Sequence, residues 1–260
     1  MALHPVRLPV RLLRFARFSV TALRDLSRTV AAFESPALAS GPLRDYRRRA
    51  EWTHRHAQRL CRLMNWNVQT EGSIPKAQIY GANHMGYLDI VTIAAATPVV
   101  FVSKAEVKNW PVVGKLSDGG GTLYLQREKK GDLASVIRQF DDVVRHDIPV
   151  VVFLEGTSSG GDDVMPFRPS LLAPAVEAGW NVAPVALDYA ASRGTVADHV
   201  AYWRDMTFVP HFLNLLSIER LDARVTFGTA RAAGGDRKVL ARELRDEVVR
   251  MRKPLVSGGR

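Results

Sequence analysis

Cysteine is almost missing from this chain of 260 residues. Cys61 stands alone, so an internal disulfide framework is excluded and a reducing compartment is expected. Long apolar runs are also lacking. The longest, near residues 90–102, is broken by Thr92, Thr97 and Pro98 and is too short to span a bilayer. Arginines recur through the apolar part of the start, which does not read as a secretory signal. Lysine is absent from residues 1–62, and acids are scarce there: 13 arginines stand against four acids, 13 − 4 = +9. The other 198 residues carry only the last +1 of a net +10. A cytoplasmic protein without a spanning helix is expected, with its basic character at the front. Hydrophobic content of 47% and charged content of 24% are ordinary for a globular chain, long enough for one large α/β domain or two small ones.

The basic front has a helical period. Between residues 6 and 33, Arg7, Arg11, Arg14, Arg17, Arg24 and Arg28 fall within an arc of roughly 140°. Opposite lies a band with Leu12, Leu13, Phe15, Val20, Leu23 and Leu26. Such a helix suits an anionic membrane surface, packing on the protein body, or nucleic acid. Aromatic residues are not interleaved with the arginines in a stacking pattern, which counts against nucleic acid. A proline- and serine-containing loop at 35–42 precedes a second basic helix over 43–65, so residues 1–66 read as an amphipathic helical hairpin. His54, His56 and Cys61 lie on it at spacings that match no common metal site, and are read as structural.

From Gln78 onward the pattern changes. Strand-like runs at 78–82, 99–103, 121–125, 149–154, 182–187 and 223–227 alternate with helical stretches at 88–96, 133–145, 171–178 and 237–252. That alternation predicts an α/β fold over 67–260: a mixed, largely parallel sheet flanked by helices. The aromatic stretch 193–216 has no clear period.

Four motifs follow in order. In Asn83-His84-Met85-Gly86-Tyr87-Leu88-Asp89, the histidine and aspartate are five apart. On one helix they would sit roughly 140° apart and never meet. They meet if His84 lies in the turn before a helix and Asp89 points back from its first turn, a tight path that Gly86 eases. A carboxylate on one ring nitrogen fixes the tautomer and leaves the other to take a proton, giving a general base without a protein nucleophile. The bland alternative is a turn-capping histidine and an aspartate at a helix start. Seven histidines and 16 aspartates give about 0.4 chance matches, so the pair needs company. Gly121 to Arg127 is a strand closed by an arginine suited to bidentate phosphate contact, or merely solvated. Val150 to Ser159 is a buried strand ending in Glu155-Gly156-Thr157-Ser158-Ser159, whose amides and hydroxyls suit an anion. Pro166-Phe167-Arg168-Pro169-Ser170 then leads into a helix. Val182 to Leu187 is an apolar strand expected to wall the site.

Taken in this order, the motifs resemble those of the glycerolipid acyltransferase family, in particular bacterial 1-acylglycerol-3-phosphate acyltransferases. The resemblance rests on His84 with Asp89, Gly121 with Arg127, Phe153 with Glu155-Gly156-Thr157, and Val182 to Val185, and covers roughly residues 75–190. It implies acyl transfer from acyl-CoA or acyl-carrier protein to the hydroxyl of a lysophospholipid. His84 and Asp89 would be catalytic, and Arg127, Glu155, Gly156, Thr157 and Ser158 would bind the acceptor. No cofactor beyond the acyl donor and no metal is implied. The family's amphipathic N-terminal helices imply peripheral attachment at the cytoplasmic face of an anionic membrane, and no nucleic acid partner. Two departures stand out. Leu154 replaces the family's proline, and Ser158 replaces an arginine that helps hold the acceptor phosphate. The second opens an alternative acceptor such as lyso-ornithine lipid.

Two rivals lie outside this reading: a non-enzymatic membrane- or nucleic-acid-binding module that retains the fold, expected to bind salt-sensitively without turnover, and a serine hydrolase. Gly156-Thr157-Ser158-Ser159-Gly160 fits the pattern of a serine-hydrolase elbow with Ser158 as nucleophile. An elbow must run straight into a helix, whereas Gly161-Asp162-Asp163 and two prolines follow here.

Overall fold

The computed structural model describes residues 7–33, 45–109, 113–125, 133–253 and 255. Two helices, α1 (Arg7–Phe33) and α2 (Tyr46–Met64), precede a strand β1 (Trp66–Glu71). The chain then runs β2 (Ile79–Ala82), α3 (Leu88–Ala96), β3 (Val100–Lys104), α4 (Val113–Gly119), β4 (Leu123–Leu125), α5 (Leu133–Val144) and β5 (Val150–Phe153). It closes with α6 (Ala173–Ala178), β6 (Asn181–Ala191), α7 (Val196–His199), α8 (Phe208–Ser217), β7 (Leu221–Phe227), β8 (Arg231–Ala232) and α9 (Arg237–Met251).

The strands form one sheet in the order β1-β7-β6-β2-β5-β3-β4, with β8 on β6. From β6 to β4 all neighbours are parallel, whereas β7 and β8 run antiparallel to β6. The expected mixed, largely parallel sheet is therefore the one observed. Its central strands are apolar on both sides because helices cover both faces. One face carries a core with Phe18, Trp52, Met64, Tyr80, Ile93, Leu187 and Leu215, drawn from α1, α2, α3, α8 and the strands. The other carries Phe140, Val150, Val152, Leu172, Val182 and Leu244, under α5, α6 and α9.

The register at the centre sets up everything that follows. Ala82, the last residue of β2, lies opposite both Phe153 of β5 and Val185 of β6. The segments leaving β2 and β5 therefore emerge side by side at the carboxyl ends of parallel strands, where open α/β sheets bind ligands.

Three sequence expectations need revision. The strand β1 went unread because Asn67, Gln69 and Thr70 hide its period. It is an edge strand whose polar side chains face solvent. The strand β6 runs past Leu187 to Ala191, taking Asp188 and Tyr189 into the sheet. The irregular aromatic stretch contains α7 and α8.

Helix α1 is used on two faces. Arg11, assigned to its basic arc, is buried instead. Its guanidinium donates to the carbonyls of Leu216 and Glu219 at the end of α8, at 3.4 and 2.5 Å. The Leu216 carbonyl lies in the last turn of α8, where a helix leaves acceptors unpaired, and Glu219 lies just beyond it. Phe15 meets Phe212 edge-on at 4.8 Å, and Phe18 and Ala22 are buried. What remains outside is Leu13 at 62% and Val20 at 67% exposure, beside exposed Arg14, Arg17, Arg24 and Arg28. On α2, His54 Nδ1 meets the Ala94 carbonyl at 2.6 Å and His56 bridges Trp52 and Asp25. Burial pushes the Cys61 thiol up to about 12, which leaves it unreactive.

Candidate active site

His84 occupies the turn between β2 and α3, and Asp89 is the second residue of α3, inside its first turn. The imidazole Nδ1 and Asp89 Oδ2 are 2.7 Å apart. The geometry inferred from the five-residue spacing is thus present. Gly86 is required for it. Its φ is +151°, and a Cβ there would lie 2.8 Å from the Tyr202 backbone nitrogen.

Asp89 is wholly buried, and its carboxylate is met by hydrogen-bond donors. Oδ2 accepts from His84 Nδ1 and from the amides of Met85 and Gly86 at 2.6 and 3.0 Å. Oδ1 accepts from the Tyr189 hydroxyl at 2.7 Å. Burial, and then the charge of Asp89, push the Tyr189 phenol well above its ordinary range, so it stays a donor. The carboxylate therefore accepts from His84 Nδ1–H, and in the neutral imidazole Nε2 is then the ring nitrogen without a proton. Nε2 has no partner among the described residues, and the ring is 22% exposed.

The histidine is immobilised from three sides. Its amide donates to Glu155 Oε1 at 2.8 Å, and its carbonyl accepts from the amide and hydroxyl of Ser159 at 2.9 and 3.2 Å. Its ring stacks on Phe153 at 4.0 Å. Asn83, just before it, takes both backbone bonds of Leu187, splicing the turn onto β6. The aromatic stretch closes the far side. The Tyr202 amide donates to the Met85 carbonyl at 2.7 Å, and Tyr87 meets His211 Nδ1 at 2.7 Å. Burial lowers the His211 pKa.

Of the five residues expected at the acceptor, Arg127 lies outside the described residues. Glu155 is buried and its carboxylate bridges two backbone amides, those of His84 and Met165 at 2.8 and 3.2 Å. Burial pushes it from 4.5 up to about 7, against the pull of those amides. That geometry fits a brace for His84 better than a contact with substrate. Gly156, with φ +70°, makes the turn, Thr157 is exposed, and Ser158 Oγ donates to the Tyr202 carbonyl at 2.6 Å. The hydrolase elbow is not formed. Ser158 has no histidine partner among the described residues, and residues 157–168 run as non-helical chain. Val182 and Val185 are buried core residues of β6. Among the described residues no group of three His, Cys, Asp or Glu side chains converges as a metal site.

Sequence reasoning missed Tyr189 and Asn83. Tyr189 is a polar residue within an apolar run, and that was its only signal. Asn83 gave none apart from standing next to His84.

Comparison with known proteins bears on the family and the fold. The acyltransferase family model matches residues 65–188. Lyso-ornithine lipid O-acyltransferase of Pseudomonas aeruginosa is 33% identical over 193 residues, 73% of this chain and 74% of that protein. 1-Acyl-sn-glycerol-3-phosphate acyltransferase of Neisseria meningitidis is 31% identical over 153 residues, 59% of this chain and 60% of that protein. Among such bacterial relatives the aligned stretch covers from 52% to 77% of the relative's length. The crystal structure of the 1-acyl-sn-glycerophosphate acyltransferase PlsC from Thermotoga maritima shares the fold. Its TM-score is 0.58 at 17% identity, over 92% of this chain and 95% of that one.

Proposed function

Since the chain belongs to the acyltransferase family and is of its lysolipid type, we propose that His84 is the general base of fatty acyl transfer to a lysolipid hydroxyl. One observation carries this reading. The imidazole is held by Asp89 on Nδ1 and leaves Nε2 open at the carboxyl ends of the central strands.

The chemistry follows from the tautomer. Nε2 takes the hydroxyl proton as the acceptor oxygen attacks the thioester carbonyl of acyl-CoA or acyl-carrier protein. The tetrahedral adduct collapses with cleavage of the C–S bond, and the imidazolium returns its proton to the departing thiolate. Asp89 stabilises the imidazolium in between, while Tyr189, Glu155 and Ser159 act as positioning residues. The products are a diacyl lipid and a free thiol, so atoms and charge balance.

Two acceptors suit this site. 1-Acylglycerol-3-phosphate is one. Lyso-ornithine lipid is the other, favoured by Ser158 standing where an anion-binding arginine would be expected. The hairpin would bring the site to them. Leu13 and Val20 offer an apolar strip, and Arg14, Arg17, Arg24 and Arg28 offer charge, toward the anionic cytoplasmic face of a membrane.

The test is turnover of labelled acyl-CoA and acyl-carrier protein against a lysolipid panel, with products identified by mass spectrometry. His84→Ala should lose on the order of 10²–10⁴ in rate while melting near the wild-type temperature. A variant that keeps more than half of the activity removes His84 from the mechanism.

A further inference from the structure

We infer that Arg168 is the anion receptor of the acceptor site: its guanidinium, held across the Gly156 turn, takes the carboxylate or phosphate of the lysolipid head group. The inference rests on the acyl-transfer reading for its choice of ligand, but its geometry stands alone.

Arg168 is anchored at two points to the turn that carries Glu155. Its amide donates to the Leu154 carbonyl at 2.8 Å and its Nε to the Glu155 carbonyl at 3.1 Å. The side chain lies so close over Gly156 that a Cβ there would stand 2.7 Å from Arg168 Cδ and 2.8 Å from Nε. Glycine at this position therefore serves the arginine as well as the backbone, whose φ of +70° already favours it.

With Nε committed, the two terminal nitrogens remain. The residue is exposed, and among the described residues no carboxylate lies within ion-pair distance of its guanidinium. An arginine fixed at Nε has already given up most of its rotamer freedom, and it presents two parallel donors in a plane. Such a group suits a bidentate oxyanion, whether carboxylate or phosphate. Its neighbours Phe167 and Pro169 line a separate groove with Lys238 and Arg242 of α9, and Arg168 is not among the residues lining that groove. Ser158 is unavailable for the same task because its hydroxyl is given to Tyr202.

The arrangement also couples receptor to base. Glu155 joins them, with its carbonyl on Arg168 Nε and its carboxylate on the His84 amide. An anion on Arg168 thus lands on the same turn that fixes the catalytic ring.

Two soluble probes separate the anion sources: sn-glycerol 3-phosphate for phosphate and Nα-acetylornithine for carboxylate. Binding of each to the full chain is measured by calorimetry for wild type, Arg168→Ala and Arg168→Lys. In parallel, the acceptor KM is measured with the corresponding lysolipids. Arg168→Ala should weaken at least one probe about tenfold or more and raise the matching acceptor KM similarly, with kcat and donor KM within about threefold. Arg168→Lys should recover part of that loss, since it keeps the charge without the fork. A purely bracing arginine would instead lower the melting temperature and kcat together and leave probe binding unchanged. Binding of both probes within twofold of wild type by Arg168→Ala overturns the inference, as does a wild type that binds neither. If the probes bind through Arg168 but no lysolipid is acylated, the acyl-transfer reading falls and the receptor stands.

Discussion

Replacing Asp89 by asparagine separates charge from shape. Three donors converge on Oδ2, so the amide oxygen of the introduced side chain must occupy that side to avoid three clashes. The new NH₂ then faces the Tyr189 hydroxyl, which can turn to accept from it. The turn survives, His84 keeps its Nδ1 proton, and only the negative charge is gone. At roughly 4 Å and an effective dielectric near 20, a carboxylate and an imidazolium attract by about 4 kcal/mol. That attraction exists only once the proton has moved, so losing it raises the barrier and lowers kcat by up to about 10³-fold. Stability should change by no more than about 1–2 kcal/mol, because each buried donor still has an acceptor. Asp89→Ala would be uninformative, since it orphans the Met85 and Gly86 amides at about 1–3 kcal/mol each and leaves the Tyr189 hydroxyl only Thr92. The assay is saturating turnover of Asp89→Asn alongside urea unfolding. Retention of more than about a tenth of the wild-type kcat would refute the electrostatic account of the pair.

Two further expectations concern the brace and the hairpin. Glu155 has its pKa raised from 4.5 to about 7, so between those values the folded chain holds a proton that the unfolded chain has lost. Its contribution to stability therefore falls as pH rises from 4.5 to 7, by roughly 3 kcal/mol in all. Urea midpoints at pH 5 and 8 should show Glu155→Gln to have a smaller decline than wild type, and equal declines would contradict the assignment. Leu13→Asp and Val20→Asp alter side chains that are mostly exposed, so the melting temperature should hold while flotation with anionic vesicles is lost. Undiminished flotation of the double variant would show that α1 does not engage the membrane.

Much of this site was legible before any coordinates. The Ala82–His84 and Phe153–Glu155 segments each couple an apolar run to a polar turn, and a parallel register then places the two turns together. What sequence could not supply was the direction in which each side chain is used. Glu155 reads as a ligand for substrate because it sits in an anion-binding turn, and only the coordinates show its carboxylate buried on two backbone amides. Arg11 reads as one of six surface cations by helical period. Period gives an angle around the axis but not which neighbour waits there, and here the open end of α8 takes it. Tyr189 showed only as a polar residue in an apolar run, because its role arises from a contact across 100 residues of chain. Alternation within a strand reports which face a residue is on, never what it meets.

The environment of Asp89 explains why such remote contacts matter to a proton-transfer site. A buried carboxylate normally finds a lysine or arginine to offset the loss of water. Here none touches it among the described residues, and its donors are two amides, a phenol and the imidazole. These neutral dipoles hold the anion in place without neutralising it. A fixed cation in their place would stabilise the resting enzyme and the imidazolium state unequally, weakening the second. With neutral donors, the one cation that would form against Asp89 on the acyl-transfer reading is the imidazolium itself, made as the substrate hydroxyl gives up its proton. On that reading the stabilisation falls on the reacting state, which is the condition for lowering a barrier rather than deepening a ground state. Tyr189 is part of the catalytic design on this argument even though its hydroxyl faces the core: with Oδ1 satisfied by a neutral phenol, the charge is kept whole for His84.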